Sequence, residues 1–358
     1  MGKNGVLKNK IPVSQPDLSG NELKYVVDCI KRNWISSKGD YVEKFEKAFA
    51  KFHKMKYGVA CSSGTTALIL ALASLGIKEG DEVIVPEFTM IATAWAVSFL
   101  GAKPVFVDCD DDLNIDVSKI EEKITPRTKA IIPVHIYGRQ CKMREILRIA
   151  YEYNLWVVED SCEAHGIKPK GDIACFSLFA NKIITAGEGG ICLTNSERLA
   201  KQMKHLRAMA FDKNHTFLHK KFAFNFRMTN LQAAIALAQT ERLEKILEKR
   251  KKIEKWYDEC LEGIKGIKKM PKRDVLWMYD ILAEKRDKLR KWLEKNGIET
   301  RVFFKPMSMQ PMYFNPDYKK LKAYQFSQKG LYLPTFTSLT KSKVKYICQK
   351  IKEFYERN

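Results

Sequence analysis

Between residues 57 and 158 short apolar runs alternate with helical ones, and this alternation constrains the fold more than any other feature of the chain. The pattern predicts strands over 57–61, 82–85, 104–107, 130–134 and 155–158, with helices over 67–75, 91–100 and 143–153 between them. Strands joined through helices pair in parallel, with right-handed crossovers, and bind ligands at their carboxyl ends. The expected class is therefore α/β, with a large, mostly parallel sheet. Ser63 to Thr65, Phe88, His135 and Asp160 all fall at such strand ends.

The segment GDIACFSLFANKIITAGEGGICL (171–193) adds an apolar strand, a polar turn with Lys182, a glycine-rich loop and a closing strand. A lysine at the end of a buried strand is expensive unless paired or chemically used, which makes Lys182 a candidate Schiff-base lysine. Taken alone, the segment also reads as a surface hairpin with one solvated lysine. Ser177, five residues earlier, offers a hydroxyl at the same strand end. The SSGTT turn at 62–66 places hydroxyls and unpaired amides where a helix N-terminus holds phosphate, although plain N-capping uses the same residues. Asp160 directly follows LWVVE; a carboxylate there calls for a cation, either a pyridinium nitrogen or a salt-bridge partner. Glu163 is close enough in sequence to reach the same mouth.

Composition narrows the function. Sixty-three basic and 42 acidic residues give a net charge of +21, which favours anionic partners. Most of that excess lies on amphipathic helices without interleaved aromatics, so nucleic-acid binding is only a weak alternative. The nine cysteines are scattered, with no CxxC pair and no histidine cluster. They suit buried thiols in a reducing cytoplasm, with no metal site expected. No apolar run approaches the ~20 residues that span a bilayer, and no signal segment precedes IPVSQ.

Helices are expected over 21–32 and 41–52, with NWISSKG (33–39) as a loop that either binds something or only turns. A long helix is expected from Thr229, and the domain boundary near residue 240. Residues 1–240 then form the large domain and 241–358 a small α+β domain, with the N-terminal segment able to pack on the latter. In the small domain strands are expected over 276–282 and 299–304, helices over 286–295 and 341–356, and a Pro/Met-rich loop between.

The segments SSGTTALILAL, GDEVIVPEFTMIATA, GAKPVFVD, ITPRTKAIIPVHIYG, VVEDSCEAHG, GDIACFSLFANKIITAGEGG and NFRMTNLQAAIALAQ follow one another in an order that resembles the DegT/DnrJ/EryC1/StrS family of sugar aminotransferases. The resemblance covers nearly the whole chain. NWISSKG and ETRVFFKPMSMQPMY further resemble the branch that aminates C4 of nucleotide-linked 4-keto-6-deoxy sugars, above all its GDP-linked members. It implies the aspartate-aminotransferase (type I) fold and pyridoxal 5'-phosphate, cycling through the pyridoxamine 5'-phosphate form. It further implies a nucleotide-sugar substrate, L-glutamate as donor and a homodimer with shared sites.

Residue by residue, the resemblance makes Lys182 the catalytic Schiff-base and proton-shuttling group. It pairs Asp160 with the pyridinium nitrogen and brings Glu163 to the 3-hydroxyl. Gly64, Thr65 and Ser177 would hold the phosphate, Phe88 would stack on the ring, and Asn225 would reach the partner's cofactor. Trp34, Ser36, Ser37, Arg301, Phe304 and Ser308 are the implied sugar contacts. Retention of Lys182 argues against the dehydratase offshoot, which carries His there. Ser308 stands where many relatives have His, and Ala210 and Ala223 replace usual glycines. UDP- or dTDP-linked sugars and 3-keto sugars remain alternative substrates, and a regulatory, non-catalytic role a minor one.

Overall fold

The computed structural model describes residues 10–212, 217–219 and 221–357. Its large sheet has seven strands: β1 (Tyr57–Cys61), β2 (Glu82–Pro86), β3 (Lys103–Val107), β4 (Thr128–Ile131), β5 (Trp156–Asp160), β6 (Ile173–Ser177) and β7 (Gly190–Thr194). They lie in the order β1-β7-β6-β5-β4-β2-β3. The pairs from β3 through β6 are parallel, whereas β7 runs antiparallel to both of its neighbours. Every strand from β4 to β7 is almost wholly buried, as expected of a sheet covered on both faces.

The helices of this part are α1 (Glu22–Lys31), α2 (Asp40–Phe52), α3 (Gly64–Ser74), α4 (Ile91–Ser98), α5 (Met143–Glu152), α6 (Glu197–Arg207) and α7 (Asn230–Glu241). Phe45 and Phe49 of α2 and Ala233 and Ala234 of α7 pack with Phe176 and Ile191 of the sheet. Leu68 and Leu72 of α3, Val97 of α4 and Met203 of α6 pack with Val59 and Cys175 in a separate cluster. Helix α3 is apolar almost all round because it is enclosed among these elements.

The expected long helix breaks at Arg242 (φ −108°), whose guanidinium bonds Asp17 and Ser19. It resumes as α8 (Leu243–Cys260). Beyond it lies a second sheet of β8 (Ile267–Lys269), β9 (Tyr279–Ala283), β10 (Arg301–Val302) and β11 (Gly330–Leu333), antiparallel throughout in the order β10-β11-β9-β8. Helices α9 (Arg286–Lys295), α10 (Lys322–Lys329) and α11 (Lys341–Arg357) complete the chain. The strand expected over 299–304 is thus only two residues long, and β8, β11 and α10 were not anticipated. Ile11 bridges to Ile298, so the N-terminal segment joins this second sheet's surroundings.

Candidate active site

Strands β1, β5 and β6 end on a common cavity of about 410 Å³, lined by residues of both lobes. Asp160, the last residue of β5, is buried, and its two carboxylate oxygens are both engaged. Thr93 of α4 donates its hydroxyl to Oδ2 at 2.8 Å, and the Cys162 amide donates to Oδ1 at 3.1 Å. Thr89 lies 3.0 Å from the Thr93 hydroxyl and extends the chain.

Glu163 accepts a hydrogen bond from the Tyr137 amide at 2.9 Å, made accessible by the left-handed backbone of Tyr137 (φ 50°). Its other oxygen lies 3.8 Å from Lys182 Nζ. Burial pushes the Glu163 carboxyl up to about 7, an effect the Lys182 ammonium and the Tyr137 amide only partly offset.

Lys182 sits in the turn after β6, its own amide bonded to the Phe179 carbonyl at 2.9 Å, and its side chain is 12% exposed. The loop beyond is closed by Thr185, which donates to the Leu178 carbonyl, and by the Leu178 amide bonding Gly189. Its last glycine is set by contact: a Cβ on Gly190 would lie 2.1 Å from the Ser63 carbonyl. Gly64 is similar, since a Cβ there would meet Ser177 Cβ at 2.7 Å and Cys162 Sγ at 3.0 Å. That proximity sets Ser177 against the N-terminus of α3. A reciprocal capping box between Ser63 and Thr66 occupies the Thr66 amide. The first-turn amides of Gly64 and Thr65 have no partner within their own helix.

Ser63, Gly64, Thr65, Asp160, Glu163, Ser177 and Lys182 all line this one cavity, and Arg301 and Phe304 reach it from the small domain. The structure corrects the assignment of Phe88. That ring is fully buried and packs on Tyr137, Phe303 and Phe304, while the next two residues, Thr89 and Met90, face the cavity. The loop after Pro86 does not keep strand alternation, so the aromatic residue turns inward. His135 is also absent from the lining: it lies buried 2.7 Å from Glu159. Burial raises the Glu159 carboxyl, but His135 together with the Gly171 and Lys170 amides outweighs that and holds it below its usual range.

Other expected contacts lie elsewhere. Ser308 is buried, its amide 2.5 Å from Glu87, beside a separate hollow with Tyr313 and Phe314. Asn225 is exposed and bridges to Ala208. Trp34 and Ser36 are exposed, and Ser37 lines a hollow with Lys204, Arg207 and Arg227. Asn230, the first residue of α7, pins this loop. Its side chain donates to the Trp34 carbonyl at 2.7 Å and accepts from the Tyr41 amide at 3.0 Å, and its own amide bonds Ile35 and Ser36. Ala210, at a usual glycine position, keeps a left-handed φ of 50°.

Sequence reasoning missed Thr89, Met90, Thr93, Trp277 and Tyr332. The threonines follow an apolar strand within FTMIATA, a signal of strand-end polarity that was available. Trp277 and Tyr332 lie in apolar strand-like runs and look like ordinary core.

A mixed sheet backed by helices, with a smaller antiparallel lobe closing over a lysine at its strand ends, defines an aminotransferase of the aspartate-aminotransferase type. Residues 16–352 match the DegT/DnrJ/EryC1/StrS aminotransferase family, and the chain belongs to that family. It is 43% identical to GDP-perosamine synthase of Escherichia coli O157:H7, over 96% of this chain and 98% of that one. It is 44% identical to GDP-perosamine synthase of Caulobacter vibrioides, over 94% of this chain and 95% of that one. Among solved structures, NtdA of Bacillus subtilis with bound cofactor PMP superposes with a TM-score of 0.84 at 30% identity, covering 93% of this chain and 81% of that one.

Proposed function

We propose that this aminotransferase is a pyridoxal-phosphate-dependent enzyme that converts GDP-4-keto-6-deoxymannose to GDP-perosamine, with L-glutamate as amino donor. The observation that carries this reading is identity above 40%, over nearly the full length, to two proteins named GDP-perosamine synthase. It favours C4 of a GDP-linked sugar over UDP- or dTDP-linked and 3-keto alternatives. The regulatory reading loses its support, because a binding protein has no use for the Lys182, Asp160 and Glu163 constellation.

The residues fit the cofactor. Gly64 and Gly190 let neighbouring chain segments pack without the clash a Cβ would make, and so a helix N-terminus and a hydroxyl converge beside a lysine and two carboxylates. When bound, pyridoxal phosphate supplies an electron sink for a carbanion at the amino-bearing carbon. Gly64 and Thr65 amides, with the Ser177 hydroxyl, bind the phosphate at the positive end of α3. Asp160, fixed by Thr93 and the Cys162 amide, holds a proton on the ring nitrogen. Lys182 Nζ would hold the cofactor covalently, and as an amine would move the proton to and from the substrate carbon. Glu163 orients the 3-hydroxyl beside that amine. Met90, in place of Phe88, covers the ring, and Phe304 and Tyr332 exclude water from the small-domain side. Arg301 meets the nucleotide sugar.

A homodimer completes the site in this proposal, Asn225 and the Trp34–Ser37 loop serving the partner's cavity. Exposed Leu23, Val27, Ile30, Trp34, Phe179 and Met209 supply apolar surface for such an interface. Nine free thiols suit work in a reducing cytoplasm. The domain division falls at the Arg242 break.

The test is mass spectrometry of products from a panel of keto sugars supplied with glutamate. GDP-4-keto-6-deoxymannose should give the GDP-linked 4-amino sugar with the highest kcat/KM. Faster amination of a UDP-, dTDP- or 3-keto substrate overturns the substrate assignment.

A further inference from the structure

Lys182 meets the small domain at Trp277. Trp277, two residues before β9, is 2% exposed, and its ring centroid lies 4.1 Å from Lys182 Nζ. The ring is anchored rather than merely packed. Its Nε1–H donates to the carbonyl of Asn181, the residue before the lysine, at 2.8 Å. Its backbone carbonyl accepts from the buried Arg250 guanidinium at 2.9 Å. Tyr137 and Tyr332 rings flank it at 5.8 and 6.2 Å. The ammonium therefore rests between an aromatic face and the Glu163 carboxyl at 3.8 Å.

A cation over an indole is drawn to the negative face of the ring, and Trp is the strongest of the aromatic side chains in this role. An aliphatic side chain of similar bulk would fill the volume without that attraction. Fixing the ring to Asn181 ties the platform to the lysine's own turn, so the two keep their spacing.

We propose that Trp277 is a positioning residue whose indole face is the resting platform for the Lys182 amine whenever that amine is not covalently engaged. It keeps the ammonium beside Glu163, within reach of the site it must re-enter. The inference rests on the proposed role of Lys182 as the group that carries the cofactor. Asp160, Cys162, Glu163, Glu188, Arg301 and Tyr332 are the other titratable or charged groups around the cavity, with Tyr137 and His165 behind them. None of these is altered in the experiment below.

Trp277 is replaced site-specifically by tryptophans carrying one, two or three ring fluorines, which drain charge from the face with little change of volume. The probe is pyridoxal phosphate added to the full-length apoprotein, with loading followed by stopped-flow absorbance. The attachment point is then fixed by borohydride and mapped by peptide mass spectrometry. Weakening the platform releases the amine, so loading at pH 7 should accelerate stepwise with fluorine number, by roughly 2- to 10-fold in all. A residue that only fills space gives rates independent of fluorination, and that result, with trapping still at Lys182, overturns the Trp277 proposal alone. Trapping at any other lysine overturns it together with the assignment of Lys182.

Discussion

The two walls of the cavity are built on different principles. On the large-sheet side the three charged residues are held by polar neighbours: Asp160 by Thr93 and the Cys162 amide, Glu163 by the Tyr137 amide, Lys182 through the backbone of its turn. On the small-domain side the lining is largely aromatic, with Trp277, Phe304 and Tyr332, and its one cation, Arg301, is 57% exposed with only a loose contact to Glu299. Fixed dipoles pay off where charge must be stabilised without reorganisation, whereas apolar faces exclude water and tolerate different occupants. In the proposed reading, chemistry belongs to the first wall and substrate fit to the second, Trp277 excepted because it faces Lys182.

The hardest blow to that division is Lys182→Ala. Glutamate-dependent amination should fall by ~10⁴-fold or more, since both the covalent link and the proton carrier go; residual turnover near wild type would remove the first wall's claim to the chemistry. Asp160→Asn keeps the shape but loses the charge and one of the two acceptor oxygens, and kcat should drop by roughly 10²- to 10³-fold with the fold intact by circular dichroism.

Glu163→Gln sharpens the comparison through stability. The carboxyl titrates near about 7 when folded and near about 4.3 when unfolded. The folded apoprotein therefore holds a proton that the unfolded chain has released, and its stability falls as pH rises through that window. The variant removes this loss: its apoprotein should be more stable than wild type at pH 8, by on the order of 3–4 kcal/mol, and alike at pH 4. Equal melting at both would mean that Glu163 is not pushed up.

The smallest effect belongs to the second wall. Phe304→Ala should raise KM for the nucleotide sugar by roughly 3- to 10-fold while cofactor loading is unchanged. A loss of loading instead would erase the distinction between the walls.

Much of the first wall was legible because its residues interrupt apolar runs. Asp160 after LWVVE and Lys182 after the β6 segment cost too much to be accidental, and both line the cavity. The second wall was opaque for the opposite reason. Trp277 within VLWMYDIL and Tyr332 within GLYL satisfy every rule for core residues, and only their tertiary neighbours reveal that the first presents its ring face to Lys182 and the second lines the cavity. The stacking role of Phe88 came only from the family resemblance, and which residue of the loop after β2 faces the cavity depends on packing with Tyr137, Phe303 and Phe304. The break at Arg242 escaped because apolar helical spacing continues on both sides, while its cause lies in Asp17 and Ser19, more than two hundred residues away. Strand β11 is four residues long and followed by proline, too short for periodicity to register.

The anchoring of the Trp34–Ser37 loop by Asn230 carries a practical consequence. That asparagine closes the stretch that begins at Asn225, and its side chain leaves no room for a Cβ on Gly39, which would fall within 1.9 Å. Two surface features that look separately adjustable are therefore clamped by one amide. Attempts to retune selectivity by grafting either from another enzyme should import the pair together, with Gly39 and Asn230 left untouched, because a single graft would arrive without its latch.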